Sequence, residues 1–506
     1  MSDVASLSAG RGFSTQMLVL GLMIVVGTAM PALLVLGQPM LYVALVPGLA
    51  VALAILRSPR LGLYCTAAAL PLEVAGNLTS VTTTFHISIA WICTLLTLGS
   101  WLVHAMIDRR GPVWPREATA MLCYLLVGVV SLATAQEFDR GVEEVIRVIQ
   151  TILFFLMVIN LVGTPAHLKI TLGLLVGATI CTFGYAIAQK LFLPHNVFQE
   201  RGFDLLRPGA VTYGVEMGAV DTYGQGTVQR ATGTTIHSGV LALDCAYMLP
   251  FIIVFQRLNR SMLKTLIGWL ALLLMLGAFS TTLSRSGFLT LGFTMLLLIL
   301  TGVFRVNGVH VVALAVILLM GLVFVPPGYI DRVLSPSSYL ASNSDSLNGR
   351  LELWVASLRA ILDHPLTGFG IGNEHGIYDY WKPELRKQLG TVLNTFLQIG
   401  VEIGVAGVGA FVVFVGMLFG RVIGGRRRFR AQRNPDMALL GSAFLVLLLA
   451  LVSSWITFEF MRGGFKNIWL LFGCMVAYDR IARAAADTAV SPPRRTDAMA
   501  ASEERA

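Results

Sequence analysis

Three arginines in this 506-residue chain stand where a guanidinium could meet an anion. Arg285 lies in Ser280-Thr281-Thr282-Leu283-Ser284-Arg285-Ser286-Gly287, a hydroxyl-rich turn between two apolar runs. Arg230 precedes another apolar run, in Gln229-Arg230-Ala231-Thr232-Gly233-Thr234-Thr235-Ile236-His237, and Arg350 opens an amphipathic stretch that ends at Leu362. A guanidinium stays charged and can hold two phosphate oxygens at once, which suits a diphosphate. Each arginine also has a plainer reading, as a snorkelling or solvent-facing side chain. The candidates for moving a proton are His375, Glu374, Glu402 and His237. Thr391, Asn394, Gln398 and Glu402 recur every three or four residues and make one polar stripe on an otherwise apolar helix. Ser284, Asn394, Gln398 and Asp244 are expected to line a substrate cavity, with hydrogen bonding between helices as the competing reading of the stripe. Asp244 stands seven residues from His237, so both face one side of a helix.

The elements that carry these residues belong to a membrane. The chain is 56% hydrophobic and only 13% charged, with a mean hydropathy of +0.74. That balance does not fit a soluble core inside a charged surface. A net charge of +9 could suggest nucleic acid, but the basic residues sit in short connections between apolar runs, where membrane orientation requires them. No nucleic-acid partner is expected. The six cysteines show no Cys-x-x-Cys spacing, so neither a disulfide framework nor a metal site is indicated.

Runs of membrane length predict an all-α, polytopic bundle of about 12–14 spans. The spans are expected near 15–36, 40–56, 60–74, 86–106, 118–135, 147–163, 168–192, 237–256, 264–281, 286–303, 309–326, 391–420, 437–457 and 466–482. The first is read as a span rather than a cleaved signal. Arginine-rich connections, among them Arg57/Arg60, Arg109/Arg110/Arg116 and Arg421 to Arg433, alternate with long polar loops. The positive-inside rule then puts both termini in the cytoplasm and the long loops outside. The organisation expected is 1–192 N-terminal spans, 193–236 an outer loop, and 237–327 spans with the Ser-Arg turn. A large outer loop with short amphipathic helices follows over 328–390, then C-terminal spans over 391–484 and a disordered tail over 485–506. Smaller outer loops are expected at 75–85, 136–146 and 458–465.

Taken in order, Ser284-Arg285, Arg350-x-x-x-Trp354, Asp363-His364-Pro365-Leu366-x-Gly368-x-Gly370, Asn394-x-Phe396-Leu397 and Glu402-x-Gly404-x-x-Gly407 resemble the O-antigen ligase and polysaccharide polymerase family. Arg230-Ala231-Thr232-Gly233-Thr234 resembles that family's outer-loop arginine motif. The resemblance covers about residues 229–410. It implies a bacterial inner-membrane glycosyltransferase with periplasmic long loops, acting on a polyprenyl-diphosphate-linked oligosaccharide among membrane lipids. A chain-length-regulating membrane protein is an expected partner on the same ground. No cofactor is called for, because the leaving group is already attached to the donor. Ligase-type members carry histidine immediately before the asparagine that here is Asn394, and this chain has Leu393. Leucine takes no proton, which favours a polymerase of lipid-linked repeats over a ligase or a protein O-oligosaccharyltransferase. A secondary transporter or flippase is the rival from another class, and Asp244 is its strongest residue. No clear internal repeat between the halves supports it.

Overall fold

A computed structural model describes residues 39–72, 88–109, 111–192, 220–223, 226–235, 237–258, 261–304, 347–381, 392–458 and 466–490. The spans expected at 15–36 and 309–326, Thr391, the 75–85 loop, the tail after 490 and most of both long loops lie outside those residues. The chain divides into two compact units, residues 1–111 with 197–216, and residues 112–196 with 217–506.

In the first unit the helices are α1 (Pro39–Arg57), α2 (Pro59–Ala69) and α3 (Ile89–Ile107). Pro59 stands at the start of α2 behind an extended Ser58, so the chain breaks there and turns back. Small residues allow close packing: Gly62 faces Thr97, and Ser100 Oγ donates to the Ile55 and Leu56 carbonyls at 2.9 and 3.0 Å.

The second unit holds α4 (Arg116–Ser131), α5 (Phe138–Leu161), α6 (Pro165–Phe192), a two-stranded antiparallel hairpin of β1 (Val220–Tyr223) and β2 (Gly226–Gln229), then α7 (Ser238–Leu258), α8 (Met262–Thr282) and α9 (Arg285–Leu300). It continues with α10 (Leu347–Asp363), a 3-10 turn over Glu374–Tyr380, α11 (Thr395–Ala431), α12 (Pro435–Ser454) and α13 (Lys466–Val490). Among the described residues seven helices are long and apolar enough to cross a membrane, and the protein is an all-α polytopic membrane bundle. The short hairpin before Arg230 is an addition that hydropathy did not announce.

Three boundaries differ from expectation, the first being α13, which runs to Val490 and so includes the start of the tail read as disordered from 485. The segment 136–146, read as a small outer loop, is helical from Phe138 onward. Its charges pair along the helix, Arg147 with Glu144 at 2.5 Å, with Arg140 bound to Glu137 at 2.6 Å just before it. The Arg421 to Arg430 stretch, read as a connection, continues α11 to Ala431. Two of its arginines close on buried carboxylates: Arg421 binds Glu117 at 2.6 and 3.1 Å and Asp479 at 3.0 Å, and Arg428 binds Asp479.

In α10 the apolar spacing is present and divides between two faces, with Trp354 and Ile361 packed against a buried cluster. Leu353, Ala356 and Ala360 are buried against Phe369, Ile377, Trp381 and Val401, while Leu351, Val355, Leu358 and Leu362 are exposed. Small residues let α10 approach its neighbours closely, and the larger leucines and valine are left for an apolar surrounding.

Candidate functional site

Helix termini assemble the site, because a span's end is where backbone groups need partners and water can reach them. Leu283 follows α8 with φ +49, and Ser284 caps α9 by accepting from Gly287 N at 3.2 Å. The same arrangement recurs at α11. Leu393 has φ +50, and Asn394 Oδ1 accepts from Leu397 N at 3.1 Å. In both places a left-handed leucine reverses the chain immediately before a polar cap that starts a helix. The cap therefore accounts for Asn394 and Ser284 locally, and each cap fixes the residue beside it.

Arg230 is tied to the first of these turns. Its Nε donates to the Thr282 carbonyl at 2.7 Å, and Ala231 N donates to the Thr281 carbonyl at 3.1 Å. Two arginines from segments more than fifty residues apart thus meet at one helix end, Arg230 on the carbonyl of Thr282 and Arg285 three residues further on. A guanidinium held at the turn into α9, with Arg285 as the first residue of that helix, suits an anion with several oxygens.

The turn after α12, residues 455–458, gathers the rest. Its carbonyls accept from Thr395 N (Trp455, 2.9 Å), Asn394 Nδ2 (Ile456, 3.1 Å), Arg350 Nη1 (Thr457, 3.4 Å) and Thr395 Oγ1 (Phe458, 2.9 Å). Beneath it Tyr247 and Ser454 share a 2.6 Å hydroxyl contact, and Asn467 Nδ2 donates to Asp244 Oδ1 at 3.1 Å. This hub carries no charge and no motif of its own, so nothing in its sequence marked it. Asp244 is buried at the level of the first turn of α13, with Asn467 as its neutral partner.

The remaining candidates lie around a break in α11. Ile403 and Gly404 leave helical geometry, Gly404 with φ +71. The interruption exposes a carbonyl and an N–H, and both are taken by the Asp363–Gly372 segment: Phe369 N donates to Val401 O at 2.9 Å, and Val405 N donates to Pro365 O at 2.9 Å. Glu402 Oε2 accepts from Gly372 N and its Oε1 from Gln398 Nε2, each at 3.1 Å. The polar stripe thus carries hydrogen bonds within the fold, Gln398 to Glu402 and Glu402 to the glycine turn. On the far side, Asn373 Oδ1 accepts from Glu137 N at 2.6 Å, and Ser131 Oγ accepts from Ile371 N at 3.0 Å. The segment is bolted to α4, α5 and α11 together.

Glu374 and His375 open the 3-10 turn. Glu374 is buried, and His375 Nδ1 lies 3.1 Å from Arg140 Nη1, which can only donate. His237, just ahead of α7, accepts from Gly239 N through Nδ1 at 2.9 Å, so the proton of its neutral ring sits on Nε2. Among the described residues no group of three or more His, Cys, Asp or Glu side chains is placed to hold a metal ion.

Together these features define a membrane-embedded protein with a polar, arginine-bearing site built on the helix ends at one side of its bundle. Residues 270–412 match the family model described as O-antigen ligase. The matched stretch includes Ser284, Arg285, Arg350, the Asp363–Gly372 segment, Asn394, Gln398 and Glu402, but neither Arg230 nor Asp244. None of the curated proteins compared with the chain matches it.

Proposed function

We propose that the protein is a polysaccharide polymerase of the bacterial inner membrane, joining polyprenyl-diphosphate-linked oligosaccharide repeats at the periplasmic face. The observation that carries this reading is the bond from Arg230 Nε to the Thr282 carbonyl, which holds one guanidinium at the turn that leads into Arg285. In the reaction an acceptor hydroxyl oxygen attacks the anomeric carbon of the donor glycan. The new glycosidic bond forms as the bond to diphosphate oxygen breaks, and the lipid diphosphate departs with the electron pair. Arg230, Arg285 and Arg350 are assigned to that developing charge, where preorganised cations count most. Asn394, Gln398, Ser284 and Asp244 are assigned to the cavity wall.

The acceptor's proton is assigned to Glu374 or His375. Glu402 is occupied by the Gly372 backbone and Gln398, so it serves better as a structural tie, and His237 is a third candidate, its Nδ1 held by the Gly239 backbone as that of His375 is by Arg140. The choice of polymerase over ligase rests on Leu393, whose side chain packs beside the apolar cluster of α10 and the 3-10 turn. Ligation to a separate acceptor is the second reading, favoured by the description of the matching family model. Orientation with both termini in the cytoplasm and association with a chain-length regulator belong to the same proposal.

Deleting the gene in its host and resolving surface glycans and lipid-linked precursors tests the reading. Loss of long chains while single repeats persist is the expected result. Full-length polymer held on its carrier would mean a ligase, and unchanged glycan would end the enzyme reading in that host. Complementation with Arg285→Ala, Glu374→Gln and His375→Ala then tests each assigned role.

A further inference from the structure

We infer that Gln189, on α6 and outside the matched domain, is a positioning residue that holds the Arg230 turn in the geometry the transfer reaction needs. The inference rests on the diphosphate role proposed for Arg230. Gln189 Oε1 accepts from Thr232 N at 3.2 Å and from Gly233 N at 3.0 Å. Both backbone groups are donors, so the atom facing them must be the oxygen, and the amide orientation follows from chemistry. Gln189 is only 3% exposed, and its Nε2 has no hydrogen-bond partner among the described residues. A buried amide retained with its donor half unsatisfied is kept for the acceptor half.

The rest of that face of α6 is shaped to the same turn. Thr182, Ala186 and Gln189 are spaced three and four residues apart and so lie in one row. Thr182 Oγ1 and Thr234 Oγ1 are 2.9 Å apart. Gly233 has φ +59, and a Cβ there would stand 3.1 Å from Thr182 Cγ2 and 3.4 Å from Ala186 Cβ. The turn therefore lies flat on α6, with glycine where backbone and helix come closest. From this anchored turn the chain runs back one residue to Ala231 N on Thr281 O and Arg230 Nε on Thr282 O. Gln189 fixes one side of the turn and the α8 carbonyls fix the other, and Arg230 is suspended between them. Without the Oε1 acceptor, the Thr232 and Gly233 N–H groups lose these bonds and the turn is held less firmly on α6.

The test uses the full chain in membranes of the deletion host, with Gln189→Met, Gln189→Glu, Arg230→Ala and the Gln189→Met/Arg230→Ala pair. Hydrogen exchange across 231–240 reads the clamp, and length of the surface glycan reads the reaction. Gln189→Met is expected to raise exchange at the Thr232 and Gly233 amides about tenfold or more. It is also expected to lower elongation about a hundredfold, the scale of a misplaced catalytic group. Gln189→Glu keeps an oxygen in place and is expected to preserve both. The pair is expected to be no worse than Arg230→Ala alone, since both changes act on one residue. Gln189→Met with wild-type exchange and wild-type chains would overturn the inference. If Gln189→Met fails to accumulate, loss of amide protection or of elongation in Gln189→Glu would overturn it equally. Unchanged elongation in Arg230→Ala would instead remove the diphosphate reading, and the exchange data alone would then decide the clamp.

Discussion

Gly372 donates its backbone N–H to Oε2 of Glu402 at 3.1 Å, across a joint where α11 has lost its helical geometry. That bond, with Gln398 on the other oxygen, makes Glu402 one of the points at which the Asp363–Gly372 segment is held to the bundle. Two consequences follow for a carboxylate that, in sequence, is equally eligible as a base. Removing it leaves two donors in a buried site without an acceptor, and replacing it by an amide does not.

Glu402→Ala is expected to lose about 1–3 kcal/mol of stability, read as a lower unfolding temperature in detergent. Glu402→Gln keeps an oxygen for Gly372 and a group that can pair with Gln398 after its amide turns over. It is expected to stay within about tenfold of wild-type elongation. A loss of about a hundredfold or more in a well-folded Glu402→Gln protein would return Glu402 to proton transfer.

Gly368 is expected to tolerate no side chain. Its φ is +59, and an added Cβ would run into the Val401 carbonyl, the same oxygen that accepts from Phe369 N. Backbone cannot give way as a flexible side chain could, so Gly368→Ala should be destabilised by about 3 kcal/mol or more. Gly409, on the same helix with nothing within 4 Å of its Cβ position, is the control. Gly409→Ala should gain up to about 1 kcal/mol from helix propensity. Equal unfolding temperatures for the two variants would contradict the docking described.

What the sequence disclosed, and what it hid, follows from the range of each interaction. Span positions depend on local hydropathy, and most apolar runs that fall on described residues became helices within a few residues of the expected limits. The Ser284 and Asn394 caps are local as well, and both were marked by polar residues at the head of an apolar run. The hub at 455–458 is invisible because it acts through carbonyls, which every residue has. Gln189 hides for another reason: one amide on a helix rich in threonine is an ordinary interhelical polar residue until its partners, more than forty positions away, are known. The apolar stripe of α10 was visible, but in a membrane protein apolar side chains suit lipid as well as core, so the stripe alone does not say which face packs.

The arginine run of α11 divides in the same way, into residues that orient and residues that brace. Arg421 bridges Glu117 and Asp479, whose side chains are 3% and 0% exposed, and Arg428 and Arg483 complete the shell of Asp479. Arg427 is exposed on the same helix. Arg421→Ala takes the guanidinium from the buried Glu117 carboxylate and one of three arginines from Asp479, and should cost about 3–5 kcal/mol, read as reduced accumulation in the membrane and a lower unfolding temperature. Arg427→Ala should change stability by less than about 0.5 kcal/mol. If both variants behave alike, the positive charges of this run act only on orientation.

Leu393 offers the sharpest separation of polymerase from ligase. It holds φ +50, a region that histidine, asparagine and aspartate enter more readily than leucine. Its side chain packs beside the cluster of Leu353, Phe369, Ile377 and Trp381. Leu393→His therefore suits the backbone while giving up part of an apolar contact, and the protein should remain folded within about 1 kcal/mol of wild type. If the chain is a polymerase whose proton acceptor lies elsewhere, the new imidazole has no acceptor hydroxyl to activate. Elongation then stays within about tenfold, and no glycan moves to a new acceptor. If the chain is instead a ligase lacking its base, the imidazole restores what is missing and transfer to the acceptor rises by about a hundredfold. Glycan on the acceptor, separated from polymer still on its lipid carrier, is the quantity to measure in the deletion host carrying Leu393→His. Its appearance would overturn the polymerase reading while leaving the role proposed for Arg230 and Arg285 intact, because a leaving diphosphate is common to both reactions.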